Sequence, residues 1–224
     1  MIRLYGNVPN SLIVACSGGP DSMAAVDFFR RGKKDVAIAH FDHGTEHGAI
    51  AREFVEEYAK EHGIPFHLGA IKGDKPLDKS WEEWWRDQRL AFLKSLSRPV
   101  VTGHTLNDVA EWWIYTSMHG EPRLIPRENE NIIRPFLLTE KSALVRWCET
   151  RSVPYVQDPS NFSGPHMRTV IRGVMMPNVY HINPGFNTVM RKRLLKLTSP
   201  EGIQPVSPKR TPYQVELFSE PADF

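Results

Sequence analysis

An apolar run, Ser11-Leu12-Ile13-Val14-Ala15, ends in Cys16-Ser17-Gly18-Gly19-Pro20-Asp21-Ser22, and a helical pattern through Met23, Ala24, Val26, Asp27 and Phe28 follows at once. Strand, small-residue turn and helix in direct succession commit this end of the chain to a β-turn-α unit. Such a unit buries its strand only when other strands flank it and helices cover it. Two adjacent glycines let the backbone turn sharply and come close to a ligand. A fresh helix N-terminus leaves several N–H groups unpaired and pointing one way, which suits phosphate oxygens. The Gly-Lys-Ser/Thr ending of the Walker A loop is absent, and no lysine stands between Cys16 and Phe29. For the Gly-Gly pair alone, an ordinary strand-to-helix connector is the alternative.

Beyond this unit, short apolar runs alternate with helix-length periodic segments, the pattern of a parallel sheet with helices on both faces. Strands are predicted at Leu12 to Cys16, Val36 to Phe41, Pro65 to Ile71, Pro99 to Thr102 and Asn131 to Arg134. The expected fold class is α/β, a doubly wound parallel sheet of about five strands with a small helical C-terminal extension. Helices are predicted from Ala49 to His62, after a Ser80/Glu83 capping box, from about Thr105 to Asp108 onward, over Lys141 to Arg151, from Met167 until Pro177, and from Pro184 to Leu197. Trp81, Trp84 and Trp85 share a helical stripe that reads as core, with a base-stacking platform as the other reading. The expected organisation is a nucleotide domain over residues 1–139, a basic helical extension over 140–197 and a Pro-rich tail over 198–224.

The 224 residues suffice for one α/β core with an appendage. No apolar run approaches the ~20 residues of a membrane span, and the first residues do not resemble a signal peptide, so no membrane partner and a cytoplasmic location are expected. Two cysteines, Cys16 and Cys148, are too few for a disulfide framework or a metal cluster and read as structural fillers. Charge is unevenly spread: residues 1–139 carry 17 Lys/Arg against 19 Asp/Glu, and residues 140–212 carry 11 against 4. That basic third suits a polyanionic partner, or is a solvated face.

In a doubly wound sheet, ligands sit beyond the C-terminal ends of the strands. Three such ends carry reactive residues here: Ser17 to Ser22; His40-Phe41-Asp42-His43-Gly44; and Thr102-Gly103-His104, leading to Asn107-Asp108 and Glu111. Asp108 and Glu111 lie three apart on one helix face, and His104 precedes them. Two carboxylates and an imidazole beside phosphates suit Mg²⁺ chelation and proton transfer. The alternative is a capping Asp108, an exposed Glu111 and a core His104. Arg168 and Arg172, four apart, suit a phosphate clamp or an ordinary surface helix, and Arg134-Pro135 suits a strand end.

The ordered blocks Ser17 to Ser22, His40 to Gly44, Arg86 with Arg89, Gly103-His104 to Glu111, Arg134-Pro135-Phe136-Leu137, Asp158-Pro159-Ser160-Asn161, Arg168 with Arg172, and Asn183-Pro184 together resemble the tRNA(Ile)-lysidine synthetase family. These are N-type, PP-loop ATP pyrophosphatases. The resemblance implies adenylation of the C2 oxygen of a wobble cytidine by Mg-ATP, release of pyrophosphate, and displacement of AMP by the ε-amine of L-lysine. It implies that Ser17, Gly18, Gly19, Pro20, Asp21 and Ser22 bind the ATP phosphates, with His40, Asp42 and His43 beside them. Asp21 and Asp108 would hold Mg²⁺. Asp21, His104, Asp108 and Glu111 would be the catalytic set, with His104 and Glu111 serving adenylation and the lysine site. Arg86, Arg134, Arg168 and Arg172 would meet substrate or phosphate.

The family's His-His-x-Asp-Asp block appears here as His104-Thr105-Leu106-Asn107-Asp108, and its arginine-asparagine pair as Arg168-Thr169. Members of the family carry further tRNA-gripping domains, which places recognition in this chain on its basic helices, on a homodimer or on a helper protein. A related PP-loop enzyme with another substrate, and a non-catalytic nucleotide- or tRNA-binding protein, are the alternative functions.

Overall fold

The structure, a computed structural model, describes residues 1–157 and 167–196. Five strands run parallel: β1 (Ser11–Ala15), β2 (Asp35–Asp42), β3 (Phe66–Ala70), β4 (Val100–Thr102) and, after the two-residue β5 (Glu128–Asn129), β6 (Ile132–Ile133). Their order is β3-β2-β1-β4-β6-β5, with β5 antiparallel to β6 at the edge. The doubly wound sheet is thus present, and the short β5 is the one strand that periodicity misses; two residues are too few to show a period.

Strand alternation sets the two faces of the core. Leu12, Val14, Val36, Ile38, Val101 and Ile133 face one way, while Ile13, Ala37, Ala39, Val100 and Ile132 face the other. The register agrees, since Ile13 pairs across from Ala37 on one side and Val100 on the other. The first face is covered by α1 (Pro20–Arg31), α2 (Glu46–Glu61) and α5 (Lys141–Arg151), through Phe29, Tyr58, Leu144 and Cys148. The second is covered by α3 (Trp81–Lys94), through Leu93 and the partly buried Phe92. Gly69 of β3 makes room for Phe92, since a Cβ there would meet the ring at 2.5 Å. A third cluster joins α4 (Leu106–Met118) to the last helices through Leu106, Ile171 and Met190.

Local chemistry explains the helix limits. Thr45 accepts from Gly48 N and so starts α2 three residues before the predicted Ala49. The Ser80/Glu83 capping box forms as expected. Trp84 is core, but Trp81 in the first turn of α3 is 55% exposed, with Trp84 and Trp85 beside it and Lys75 over its ring. The helix expected from Met167 until Pro177 does not stop there. It runs from α6 (Met167–Val170) through a π turn (Ile171–Met175) into α7 (Met176–Ile182), and α8 (Phe186–Lys196) follows. The wide turn restarts the α pattern at Met176, so Pro177 falls in a first turn, where its missing N–H is not needed. The expected Asp158-Pro159-Ser160-Asn161 turn and the tail over 198–224 lie outside the described residues. None of the described helices is long and apolar enough to cross a membrane.

Asp27 pins α5 to α1. The carboxylate is 1% exposed, accepts from Trp147 Nε1 at 2.9 Å, and pairs with Arg30 and Arg31. Burial opposes its ionisation, but the Trp147, Arg31 and Arg30 donors outweigh burial and hold the carboxyl below the usual carboxylate range. Its stabilising contribution is therefore complete above the unfolded-state pKa of about 4 and is lost as pH falls through the lower folded value. Replacement Asp27→Asn is expected to lower the free energy of unfolding by about 1–3 kcal/mol in urea titrations at neutral pH, and to remove part of the acid-induced loss seen in the parent. An unchanged urea midpoint would exclude this pin.

Candidate active site

Because β1 lies between β2 and β4, the chain reverses its winding direction there, and the C-terminal ends of β1 and β4 open a crevice. The Cys16–Ser22 loop forms one wall. Gly18 sits at φ +83°, the left-handed region open to glycine, and Val156 both packs on it and donates its N–H to Gly18 O at 3.0 Å. Ser22 works inside the loop: its hydroxyl accepts from Ser17 N at 3.2 Å and donates to Gly19 O at 2.9 Å. With Met23 N bound to Gly19 O, the first-turn N–H groups of Asp21 and Ser22 have no intrahelical acceptor.

The second wall begins at Gly103, whose missing Cβ is what lets it lie against Asp21; a Cβ would sit 3.2 Å from the Asp21 carbonyl. His104 shares a 2.8 Å hydrogen bond between its Nδ1 and Thr102 Oγ1. Asp108 Oδ2 accepts from both the N–H and the hydroxyl of Thr105 at 2.7 Å, which binds the start of α4. Burial disfavours the Asp108 anion, but the His104 charge, the Thr105 donors and Arg172 together hold its pKa below the ordinary value. Glu111, one turn on, is forked by Arg172: Nε to Oε1 at 2.9 Å and Nη2 to Oε2 at 2.8 Å, with Nη2 also 3.8 Å from Asp108. The π turn carries Arg172, and such turns often mark functional positions. The four-residue spacing to Arg168 is thus no longer that of a plain α-helix, and the Arg168 side chain lies outside the described residues.

Asp21 holds the centre. Its Oδ2 lies 3.2 Å from Lys141 Nζ, and its Oδ1 is buried with no partner among the described residues. Burial pushes the Asp21 pKa up, Lys141 pulls it down, and the Asp108 charge raises it further. Sequence reasoning misses Lys141, which reads as one more base on an amphipathic helix. A signal was available: a lysine at the first position of a helix opposes the macrodipole, and nothing acidic offsets it in that turn. Asn107, where the family block has aspartate, accepts from Lys141 N at 2.9 Å and donates to Tyr180 Oη at 3.3 Å.

The block at the end of β2 stands deeper. His40 is buried and donates from Nδ1 to Cys16 O at 2.9 Å, bracing the loop from below; its Nε2 is buried without a partner among the described residues. Asp42 accepts from Gly44 N at 2.8 Å. His43 packs between Phe41 and Trp85, and burial, then the Arg89 and His40 charges, lower its pKa to about 4. Arg134 is buried, donates to Pro126 O at 2.8 Å, and has its pKa lowered by burial and by Arg86, which lies exposed on α3. Arg86 and Arg134 therefore stand close enough to repel, an arrangement that an anion between them would relieve. Cys16 and Cys148 are both buried free thiols, with Cys148 pushed up to about 11 by burial first.

Residues 3–179 match the family described as PP-loop domain. Among curated proteins, the chain is similar to the tRNA(Ile)-lysidine synthase of Thermotoga maritima, 30% identical over 190 residues that cover 77% of this chain and 46% of that protein. It is similar also to the tRNA(Ile)-lysidine synthase of Chlamydia pneumoniae, 28% identical over 186 residues, 76% of this chain and 58% of that one. The chain thus spans about half the length of the curated relatives it matches. Among solved structures, the U34-tRNA thiolase NcsA of Methanococcus maripaludis shares the fold, with a TM-score of 0.68 at 15% identity over 84% of this chain and 71% of that one.

Two measurements check the site. In an NMR titration the His43 ring is expected to stay neutral down to about pH 4; a midpoint at the ordinary value of about 6.5 would show an open, solvated ring instead. Replacement Gly103→Ala is expected to push the two walls apart and weaken ATP binding about tenfold or more in calorimetry, because even small displacements of a positioning wall are costly. Unchanged affinity would mean that the Gly103 contact with Asp21 does not shape the nucleotide site.

Proposed function

The chain belongs to the PP-loop domain family, and from that premise we propose that it cleaves ATP between the α and β phosphates to adenylate the wobble cytidine of an isoleucine tRNA. Lysine then replaces AMP to give lysidine. The observation that supports this most is the meeting of a phosphate-type loop with Asp21, Lys141, His104, Asp108, Glu111 and Arg172 at one crevice, in a chain whose curated relatives are named tRNA(Ile)-lysidine synthase.

In the first step the cytidine C2 oxygen attacks the α-phosphorus and the bond to the β-phosphate oxygen breaks, so pyrophosphate leaves with its added negative charge. The first-turn N–H groups of α1 bind phosphate oxygens, and Lys141 neutralises the leaving group from beside Asp21. In the second step the lysine ε-amine attacks C2 and the C2–O bond breaks, releasing AMP. The attacking amine must shed a proton, and the imidazole of His104, oriented by Thr102, is the side chain suited to take it. Glu111, held by Arg172, offers a carboxylate for the substrate's ammonium end.

The residues also fit a magnesium ion. Asp21 has a buried oxygen without a partner among the described residues, and Mg²⁺ takes one or two carboxylates and completes its shell with phosphate oxygens and water. Among the described residues no group of three or more His, Cys, Asp or Glu side chains is placed to hold a metal ion by itself, so phosphate oxygens and water would have to complete the shell. Asp21 and Asp108 would hold the ion, which supplies neutralisation of the phosphate charge when bound.

Incubation with ATP, labelled lysine and unfractionated tRNA is expected to release pyrophosphate and place the label in a cytidine-derived nucleoside. Asp21→Asn and Asp108→Asn are each expected to slow pyrophosphate release by about a hundredfold or more, the scale of losing one preorganised electrostatic group. Pyrophosphate release that needs something other than tRNA would redirect the assignment to another substrate, and none under any tRNA would sink it.

A further inference from the structure

Outside the crevice the surface charge is sorted by helix. Together α5 and α8 carry seven Lys/Arg against one acid, Glu149. That imbalance exceeds what a merely solvated face needs and makes a one-signed field over this side of the molecule. Some of these cations lie over aromatic rings: Arg151 is 3.6 Å from the centre of Trp147, and Arg193 is 5.2 Å from that of Trp113.

Where these helices meet the N-terminal segment there is a groove of about 280 Å³, with Arg3, Arg146 and Arg191 around Leu138, Glu140 and Ser142. Its arginines are differently placed. Arg191 is part of the wall, reaching Leu138 O at 3.4 Å and Glu140 at 3.2 Å. Arg3 is fixed by its backbone instead: its N–H donates to Thr139 Oγ1 at 2.8 Å, and the same hydroxyl donates to Arg3 O at 2.7 Å. Thr139 is fully buried, so the exposed Arg3 side chain rises from a rigid anchor. Arg146 is exposed on the facing helix, and among the described residues neither the Arg3 nor the Arg146 guanidinium is in an ion pair. Two exposed guanidinium groups without an ion pair among the described residues, beside a third at the groove wall, make a site for anions with planar, bidentate acceptors.

The position of the groove identifies the anion. Glu140 lines the groove, and the next residue, Lys141, reaches Asp21 in the crevice. We propose that this groove seats the phosphodiester backbone of the RNA strand whose base enters the crevice, with Arg3 and Arg146 each meeting a phosphate. The choice of RNA over another polyanion rests on the proposed tRNA substrate; the groove's preference for an extended anion rests on the arginines alone. Phosphate contacts of this kind fix register and orientation while carrying no sequence information. The groove therefore positions the strand, and selection of the base stays with the crevice.

The test uses the full chain, with Arg3→Glu and Arg146→Glu combined, and unfractionated tRNA as the probe. Binding is measured by fluorescence anisotropy from about 50 to 200 mM salt, the range over which phosphate contacts are most visible. The double variant is expected to bind about tenfold or more weakly, and the slope of log affinity against log salt to fall by about two, roughly one per lost phosphate contact. ATP affinity by calorimetry and the thermal midpoint are expected to match the parent. The charge-conserving pair Arg3→Lys and Arg146→Lys is expected to retain most of the slope. If the parent binds tRNA and the charge-reversed variant binds with the same affinity and slope, the groove is not the seat, while the tRNA reading stands. If the parent binds no tRNA but binds an acidic polypeptide through the same two arginines, the RNA assignment fails together with the substrate reading. Should the Glu variant melt early, Arg3→Gln with Arg146→Gln gives the same two readouts.

Discussion

The pairing of β1 on both sides, with β2 and with β4, is the constraint on which the rest depends. It makes β1 the strand at which the winding reverses, and so it leaves an opening above its C-terminal end that no crossover helix can cover. The loop that fills this position must turn at once into α1, and it must leave space for the turn after β4. Gly18, with its positive φ, serves the first need, and Gly103, without a Cβ against Asp21, serves the second. His40 then supports the loop from the neighbouring strand through Cys16 O. A few backbone contacts between adjacent parallel strands thus set the place where chemistry can occur before any charged side chain is counted.

The charged side chains are organised as pairs across helices. Lys141 from α5 meets Asp21 of α1, and Arg172 from the π turn meets Glu111 of α4. Both pairs are partly exposed, so they add little to stability as such. Their effect is to hold two carboxylates and two cations in fixed places at the mouth of a crevice. A polyanion entering the crevice would compete for the cations, and a cation would compete for the carboxylates, so either would meet partners already held in place. The raised Asp21 pKa shows the strain in this arrangement, because burial and the nearby Asp108 outweigh the help from Lys141.

The fold was legible in the sequence because its signals are local. Apolar runs such as Leu12 to Ala15 and Val36 to Phe41 could only be buried strands, and Ser80 with Glu83 announced the start of α3. The loop, His104, Asp108 and Glu111 were legible too, since strand ends in this topology converge. What was not legible came from packing between distant segments. Nothing near Trp81 in the chain shows that its ring stays exposed while Trp84 is buried. Nothing around Pro177 shows that a π turn ending two residues earlier would carry the helix past it. Lys141 lies 120 residues from Asp21, and only the packing of α5 on α1, fixed by Asp27 and Trp147, brings them together.

Asn107 shows how the same distant packing settles a question that the motif alone leaves open. An amide has both an acceptor and a donor, and both are used: Oδ1 takes the Lys141 N–H and Nδ2 gives to Tyr180, whose hydroxyl then donates to Asn187 at 2.9 Å. One side chain therefore ties α4 to α5, α7 and α8. A carboxylate here could accept from Lys141 N, but it has no proton for Tyr180, so the tyrosine would have to turn its own proton away from Asn187. It would also add a negative charge beside Asp108, in a crevice where Asp21 already feels that residue. With the amide, the acidic set stays at Asp21, Asp108 and Glu111, and the helix that carries Lys141 is held by a neutral bond whose strength does not change when a charged substrate arrives.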